Sequence, residues 1–522
     1  MKELTAAAPA DRVSRSSVTE SERKLTGVLW GFLTAGALFT AVNLQWPILR
    51  NALCYAKAAL GIVAHHFNLL AIAHDHAWTS GKPILFAAVA APFVSVFGAN
   101  IGTVLASAVG TALFLGLVTL ALPRLNRRGG LDPQLAPLEL VLVAFNPLVI
   151  YQFWSAYPDS LFAGLVVLAF ILTDLIATEP ERDTRVHILG LGATIYLAIH
   201  IKLYGAVLGV ACPVYLAMHA RQLLARSTHR GSKLIVLAVV FVALAGVLLT
   251  AKWNLNPLLE LTDEGGLGDY VSSIADVRTR AVQDAVSMFA FALLLIFQAA
   301  LLFLVTRAAW RAWAAAPAVF VAIYLLGLLT FSGTIYNMRY FLPALPFLVL
   351  PLAAGAQSVR PITRHVILAA YGAIGAVLVL SFNWAPAEQL LDPLLSQATA
   401  QDRSLRFWLD NLRLPAQIKA RKRLDVINAQ VPLGGTLYWA SDYYGTATHG
   451  LAEPLGIKPG LAIRYVMRAS DIPRSTEPVF VMQFGSNGPV DPLREAPPWA
   501  TVTRLGEGTF RLDSRAPETH PN

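Results

Sequence analysis

The chain has 522 residues, of which 56% are hydrophobic and 14% charged, and its formal net charge is +9. Soluble globular proteins carry about 25% charged residues. Here the apolar residues fall in long blocks, neither alternating nor at helical spacing, which excludes a soluble domain and points to a chain that crosses a bilayer repeatedly.

In lipid every backbone amide needs a partner within the protein, so the blocks are expected to be helices. The positive charge follows the rule that Lys and Arg collect on cytoplasmic loops. The sequence has no Gly-rich phosphate loop, zinc-type Cys spacing or basic-aromatic patch, and no nucleic-acid partner is expected. Two cysteines, Cys54 and Cys212, are too few for a disulfide framework and are expected to be apolar, unreactive thiols.

Residues 1–25 read as a disordered cytoplasmic tail with Arg12, Arg15, Arg23 and Lys24. The apolar block from Thr26 to Trp46 is too long for a signal peptide and is expected to be a retained anchor, the first span. Residues 47–100 are only moderately apolar and read as a long first external loop with short amphipathic helices on the membrane surface. Further spans are expected over 101–122, 136–153 and 159–177.

Residues 187–219 pose a parity question. A single helix there would put Arg221, Arg226, Arg230, Lys233, Arg307, Arg311, Arg360 and Arg364 outside, against the positive-inside rule. A hairpin of two short spans with Lys202 at its external turn obeys the rule. Spans over 234–251, 285–305, 315–331, 340–356 and 365–384 follow, with an acidic external loop over 252–284. The expected fold is thus an α-helical polytopic membrane protein of about eleven spans. Its expected location is the bacterial inner membrane, with the N-terminus cytoplasmic. Residues 26–385 make the membrane domain. Residues 386–522 change in composition, with β-rich runs at Thr436–Trp439, Pro478–Phe484, Thr501–Leu505 and Thr509–Leu512 and helix within 401–431. They read as a small periplasmic α/β domain, a lid or docking module without a catalytic motif.

Ionisable and polar-aromatic residues gather at the external ends of the spans. The first loop supplies His65, His66, His74, Asp75, His76 and Lys82. The turn after span 3 supplies Tyr157 and Asp159, the hairpin turn His200, Lys202 and Tyr204, and the turn before span 10 Arg339 and Tyr340. Charges at membrane depth are costly, so several on one side suggest a shared polar cavity. Each alone also fits an interfacial anchor. Asp159 stands equally where a helix N-cap would, and Asp75 where a solvated loop residue would. His74 and His76 flank Asp75 and leave a divalent cation open, although no spacing fixes a third ligand, and surface histidines are the plainer reading.

Three motifs carry a resemblance. Gly81-Lys82-Pro83-Ile84-Leu85-Phe86, with Ala91-Pro92-Phe93 and Phe97-Gly98 after it, resembles the Gly-Lys-Pro-Pro-Leu stretch of bacterial GT-C glycosyltransferases of the aminoarabinose-transferase and mannosyltransferase-like kind. Tyr157-Pro158-Asp159-Ser160-Leu161-Phe162 is similar to a Tyr-Pro-Asp/Glu-Ser-Leu-Phe turn of other members. Arg339-Tyr340-Phe341-Leu342-Pro343 is similar to the Arg-Tyr-x-Leu-Pro start of a late span. The resemblance covers about 30–385, and the C-terminal domain loosely.

It implies a sugar donor linked by one phosphate to a polyprenyl tail held in membrane lipid. The implied acceptor is an extracytoplasmic glycolipid, polysaccharide or protein, and the implied reaction is an inverting transfer. Lys82, Lys202 and Arg339 would bind the phosphate, and a carboxylate would serve as base. Asn51, Tyr55, Tyr157 and Tyr340 complete the implied substrate-binding set. The family usually places an Asp or an Asp-Glu pair just after span 1, several residues before a Tyr. Here Asn51 stands there, before Tyr55, and an amide takes no proton. The base is then Asp75 or Asp159, or the chemistry is altered. The alternatives are a glycan polymerase or ligase, a transporter, and a non-catalytic subunit that binds the lipid carrier.

Overall fold

A computed structural model describes residues 10–44, 46–48, 51–73, 75–79, 82–129, 131–153, 155–178, 184–219, 320–323, 342–366, 369–370, 373, 414–440, 450–466, 469–483, 497–506 and 508–515. The expected spans over 234–251 and 285–305, the loop over 252–284, most of the spans over 315–331 and 365–384, and Arg339 and Tyr340 lie outside these residues. The expected count of eleven spans is therefore not fixed by them. The chain divides into two compact units, residues 1–39, 107–153 and 158–380 in one, and 40–106, 154–157 and 381–522 in the other.

Among the described residues, three helices are long and apolar enough to cross a membrane. The first is α1 (Ala10–Asn43), whose apolar part is Glu22–Asn43. Residues 10–25, expected in a disordered tail, are helical. They contain no Gly or Pro to stop a helix extending backwards from the apolar block. Trp30, Leu38 and Val42 are exposed on α1, as suits a helix surrounded by lipid tails.

In the first unit, α6 (Ala136–Ala144) and α7 (Pro147–Gln152) replace the single span expected over 136–153. The break has a local cause. Asn146 turns extended and its Oδ1 accepts from the Leu148 amide at 3.0 Å, while Pro147 at the first helical position suits a new start. Helix α8 (Asp159–Thr178) matches its expected span almost to the residue. It is apolar on every side and buried along nearly its whole length, the mark of a central helix. An aromatic cluster closes on it, with Phe170 edge-on to Tyr215, Phe320 and Phe347 at 5.7, 5.6 and 5.0 Å. Phe347 belongs to α11 (Leu345–Ser358), which fills the span expected over 340–356.

The parity question is answered here. Helix α9 (Thr184–Ile201) ends at Lys202, which is extended, and a 3-10 turn over Leu203–Val207 leads into α10 (Leu208–Met218). A Cβ on Gly205 would lie 2.4 Å from the Ala198 backbone, so the chain doubles back tightly against α9. The direction of α10 follows from two contacts. Lys202, just before α10, meets Asp159 at the start of α8, and Tyr215, late in α10, donates to Asp174 late in α8 at 2.9 Å. Helices α8 and α10 therefore run parallel, and α9 and α10 form the hairpin.

In the second unit, α2 (Asn51–Ala64), α3 (Leu69–Ala73) and α4 (His76–Thr79) are the short helices expected in the first loop. Helix α5 (Leu85–Gly129), of which residues 85–106 belong to this unit and 107–129 to the first, is broken at Gly98, whose φ of +80° an L side chain rarely adopts. A Cβ on Gly102 would meet the Val94 backbone at 2.4 Å, so the two segments fold against each other. The stretch after Gly98 is what corresponds to the span expected from residue 101. Asn100 fixes the neighbouring chain by accepting from the Ile48 amide at 2.7 Å and donating to the Trp46 carbonyl at 3.0 Å.

The C-terminal domain is a five-stranded sheet with α12 (Leu414–Gln430) against it. Strands β1 (Thr436–Ala440), β3 (Val479–Gln483), β4 (Ala500–Gly506) and β5 (Thr509–Ser514) fall in the four expected runs, and β2 (Ala462–Val466) is additional. The order is β2-β1-β3-β5-β4. Strand β1 is parallel to both neighbours, and β5 is antiparallel to both of its own. Tyr438, Val479, Val481, Phe510 and Leu512 pack on one face. Ala420, Leu424 and Ile427 are the buried stripe of α12. Lys458 caps the end of α12 by donating to the carbonyls of Asn428 and Val431.

Candidate functional site

In the first unit the site is built on the start of α8. Asp159 opens the helix and is 2% exposed. The next residue, Ser160, is bolted to α5: its Oγ accepts from Thr111 Oγ1 at 3.0 Å and donates to the Ser107 carbonyl at 3.3 Å. Gly110 lets Leu161 approach to 3.0 Å of where its Cβ would stand. Small residues at a helix crossing allow this close approach. Lys202 comes from the α9–α10 turn and is 8% exposed. Its amide donates to the Ala198 carbonyl and its own carbonyl accepts from Gly205, which fixes the side chain's origin. Its Nζ donates to Asp159 Oδ1 in a buried ion pair. The expectation that Asp159 is either a cap or a functional carboxylate is thus sharpened, because its carboxylate engages a cation across the fold.

In the second unit Tyr55 is buried on α2, edge-on to Phe86 at 5.3 Å. Asn51 opens α2, and its side chain lies outside the described structure. Asp75 starts α4 by accepting at its carbonyl from the Trp78 and Thr79 amides at 3.1 and 2.9 Å. Lys82 follows a turn closed by its amide on the Thr79 carbonyl, and its side chain is partly exposed. Tyr157 is buried, next to Ala156, whose φ of +56° is unusual for a residue with a side chain. Such backbone costs about 1–3 kcal/mol and clusters at functional turns.

One residue of this unit was not singled out by its sequence. Lys57 on α2 is 5% exposed. Burial pulls its ammonium below the ordinary lysine value, and the Asp75 carboxylate partly opposes that pull. The only sequence signal was a lysine within an apolar helix, Ala52–Ala64. Among the described residues no group of three or more His, Cys, Asp or Glu comes together. His74 and the side chain of His76 lie outside them. Cys54 and Cys212 are buried, and neither is joined in a disulfide.

No protein-family model matches this chain, nor does any curated protein. Solved structures do. ArnT from Cupriavidus metallidurans bound to undecaprenyl phosphate aligns over 95% of this chain and 100% of its own, with a TM-score of 0.53 and 15% identity. The apo form of that protein aligns over 93% and 98%, with a TM-score of 0.50 and 15% identity. The chain has the fold of ArnT, a GT-C glycosyltransferase. The likeness expected from three short motifs therefore aligns over nearly the whole chain, C-terminal domain included.

Proposed function

We propose that this chain is a membrane glycosyltransferase that moves a sugar from a polyprenyl-phosphate carrier to an acceptor outside the cytoplasm. The observation that carries the reading is the fold shared over nearly the whole chain with a protein solved bound to undecaprenyl phosphate. The buried Asp159–Lys202 pair supports it, since an ammonium held at a fixed point by a carboxylate is ready to meet a phosphate. In this reading Lys82, Lys202 and Arg339 bind the donor phosphate, Arg339 as a fork that grips two oxygens. Asn51, Tyr55, Tyr157 and Tyr340 line the donor and acceptor.

The reaction is a displacement at the anomeric carbon. The acceptor hydroxyl attacks, its proton passes to a carboxylate, and the bond from carbon to phosphate oxygen breaks with its electron pair on polyprenyl phosphate. Direct attack inverts the configuration. Asp159 already answers to Lys202, so we assign the proton to Asp75 and give Asp159 the task of holding Lys202. Asn51 supports one other reading, a carrier-binding subunit without turnover. That reading gains if Asn51→Asp raises activity.

The test is binding of undecaprenyl phosphate to the purified full chain, followed by native mass spectrometry. Wild type retains the lipid, and Lys202→Met and Lys82→Met retain it about tenfold less well, the loss of roughly one charged hydrogen bond. Equal retention by all three proteins would remove the phosphate assignment.

A further inference from the structure

Glu139 on α6 and Asn126 near the end of α5 lie in none of the three motifs, yet both are 0% exposed. The chain between them turns tightly. The Leu131 amide donates to the Asn126 carbonyl at 2.8 Å, and Asp132 Oδ1 accepts from the Gln134 amide at 2.9 Å to open the 3-10 turn Pro133–Leu135 that leads into α6. The two side chains meet across that turn, where Asn126 Nδ2 donates to Glu139 Oε2 at 2.8 Å. The remaining oxygen of each, Asn126 Oδ1 and Glu139 Oε1, is buried without a hydrogen-bond partner.

Two orphan acceptors on one hydrogen-bonded pair call for a shared donor. An ionised carboxylate with a single hydrogen bond is costly in an apolar interior unless a cation pairs with it. Among the described residues no ion pair reaches Glu139. The titratable groups on the described elements around the pair are Arg124, Arg127 and Arg128 on α5, Tyr151 on α7, and Glu22, Arg23 and Lys24 on α1, which meets the end of α6 through Phe32 and Phe145. Arg127 turns back to its own helix, its Nε donating to the Pro123 carbonyl at 3.2 Å, while α6 has no other titratable group and α11 has none. A metal ion suits the pair poorly, because hard cations take about six oxygens or more and two are on offer. A proton needs only those two. On Glu139 Oε1 it makes the carboxyl neutral and turns it into a donor to Asn126 Oδ1, which closes a ring of two hydrogen bonds.

We propose that Glu139 and Asn126 form a proton-binding site, in which a neutral Glu139 carboxyl and the Asn126 amide make a cyclic pair that clasps the end of α5 to α6. The site shares no residue with the Asp159–Lys202 pair and takes no part in sugar transfer. By the rule that collects arginines on cytoplasmic loops, Arg124, Arg127 and Arg128 put it at the cytoplasmic end of its helices. An ionisable residue at membrane depth is expensive to keep, and binding a proton removes the charge that makes it so.

The experiment is infrared difference spectroscopy of the full chain in dodecyl maltoside, a detergent without a carbonyl group. At neutral pH wild type shows the C=O stretch of a protonated carboxyl above the amide bands, and Glu139→Gln loses it. A glutamine amide closes the same ring with Asn126, so Glu139→Gln keeps the wild-type unfolding temperature while Glu139→Ala lowers it. Asn126→Leu keeps the band and moves it to higher wavenumber, because the Glu139 carbonyl no longer accepts from the Asn126 amide. A Glu139→Gln spectrum identical to wild type in that region would mean that Glu139 is ionised, and would overturn the proposal. So would an unmoved band in Asn126→Leu, which decides the matter even where Glu139→Gln does not fold.

Discussion

Lys202 Nζ and Asp159 Oδ1 meet although 43 positions separate them in the chain. The contact joins the turn of one helix hairpin to the first residue of the central helix. Both side chains are buried, so neither charge has bulk water to fall back on. Removing one partner of such a pair leaves an uncompensated charge and costs about 3–5 kcal/mol, whereas replacing both with apolar groups is often neutral.

Lys202→Met is therefore expected to lower the unfolding temperature of the purified protein markedly. The double variant Asp159→Leu/Lys202→Met should recover much of that loss while remaining unable to use donor. Thermal unfolding and sugar transfer measured on the same preparations separate the two effects. A double variant no more stable than the single one would mean that the pair is not coupled.

The C-terminal domain offers a titration. Burial raises the Tyr465 phenol above its ordinary value, and the Gly450 amide, donating to its oxygen at 3.0 Å, partly opposes that shift. A raised value means that the folded domain keeps its proton where the unfolded chain loses it. The stability from this group is complete below about pH 10 and is lost as pH rises through the folded value. Tyr465→Phe should flatten that alkaline loss, read as resistance of the domain to proteolysis against pH. An identical alkaline profile would assign the loss to other groups.

Much of the fold was legible because its signals are local. The span over α8 was read from uninterrupted apolar residues, and the four strands β1, β3, β4 and β5 from short β-rich runs. The hairpin at Lys202 was read from charge placement alone, and the Gly205–Ala198 approach supplies its physical cause. What escaped depends on contacts distant in sequence or on single residues. Strand β2 is an edge strand with a central arginine, Arg464, and reads as a loop. The break between α6 and α7 turns on one Asn-Pro pair. Lys57 looked like an ordinary loop lysine because its burial depends on the packing of the fold and leaves no mark in the local sequence. Within the site, the sequence named Asp159 and Lys202 separately, and the fold paired them.

Topology gives a separate prediction. Leu433 lies in the turn before β1 and is 76% exposed. A cysteine at that position should react with a membrane-impermeant thiol reagent added to intact spheroplasts, since Cys54 and Cys212 are buried. Labelling only after lysis would reverse the proposed orientation of the C-terminal domain.

The central claim is tested most directly by a glycan and lipid profile of cells lacking this chain, complemented with wild type, Asp75→Asn or Asp159→Asn. The account predicts that one sugar disappears from a surface glycolipid or polymer, that wild type restores it, and that Asp75→Asn does not. An unchanged profile in the deletion strain, or full rescue by both carboxylate variants, would contradict it.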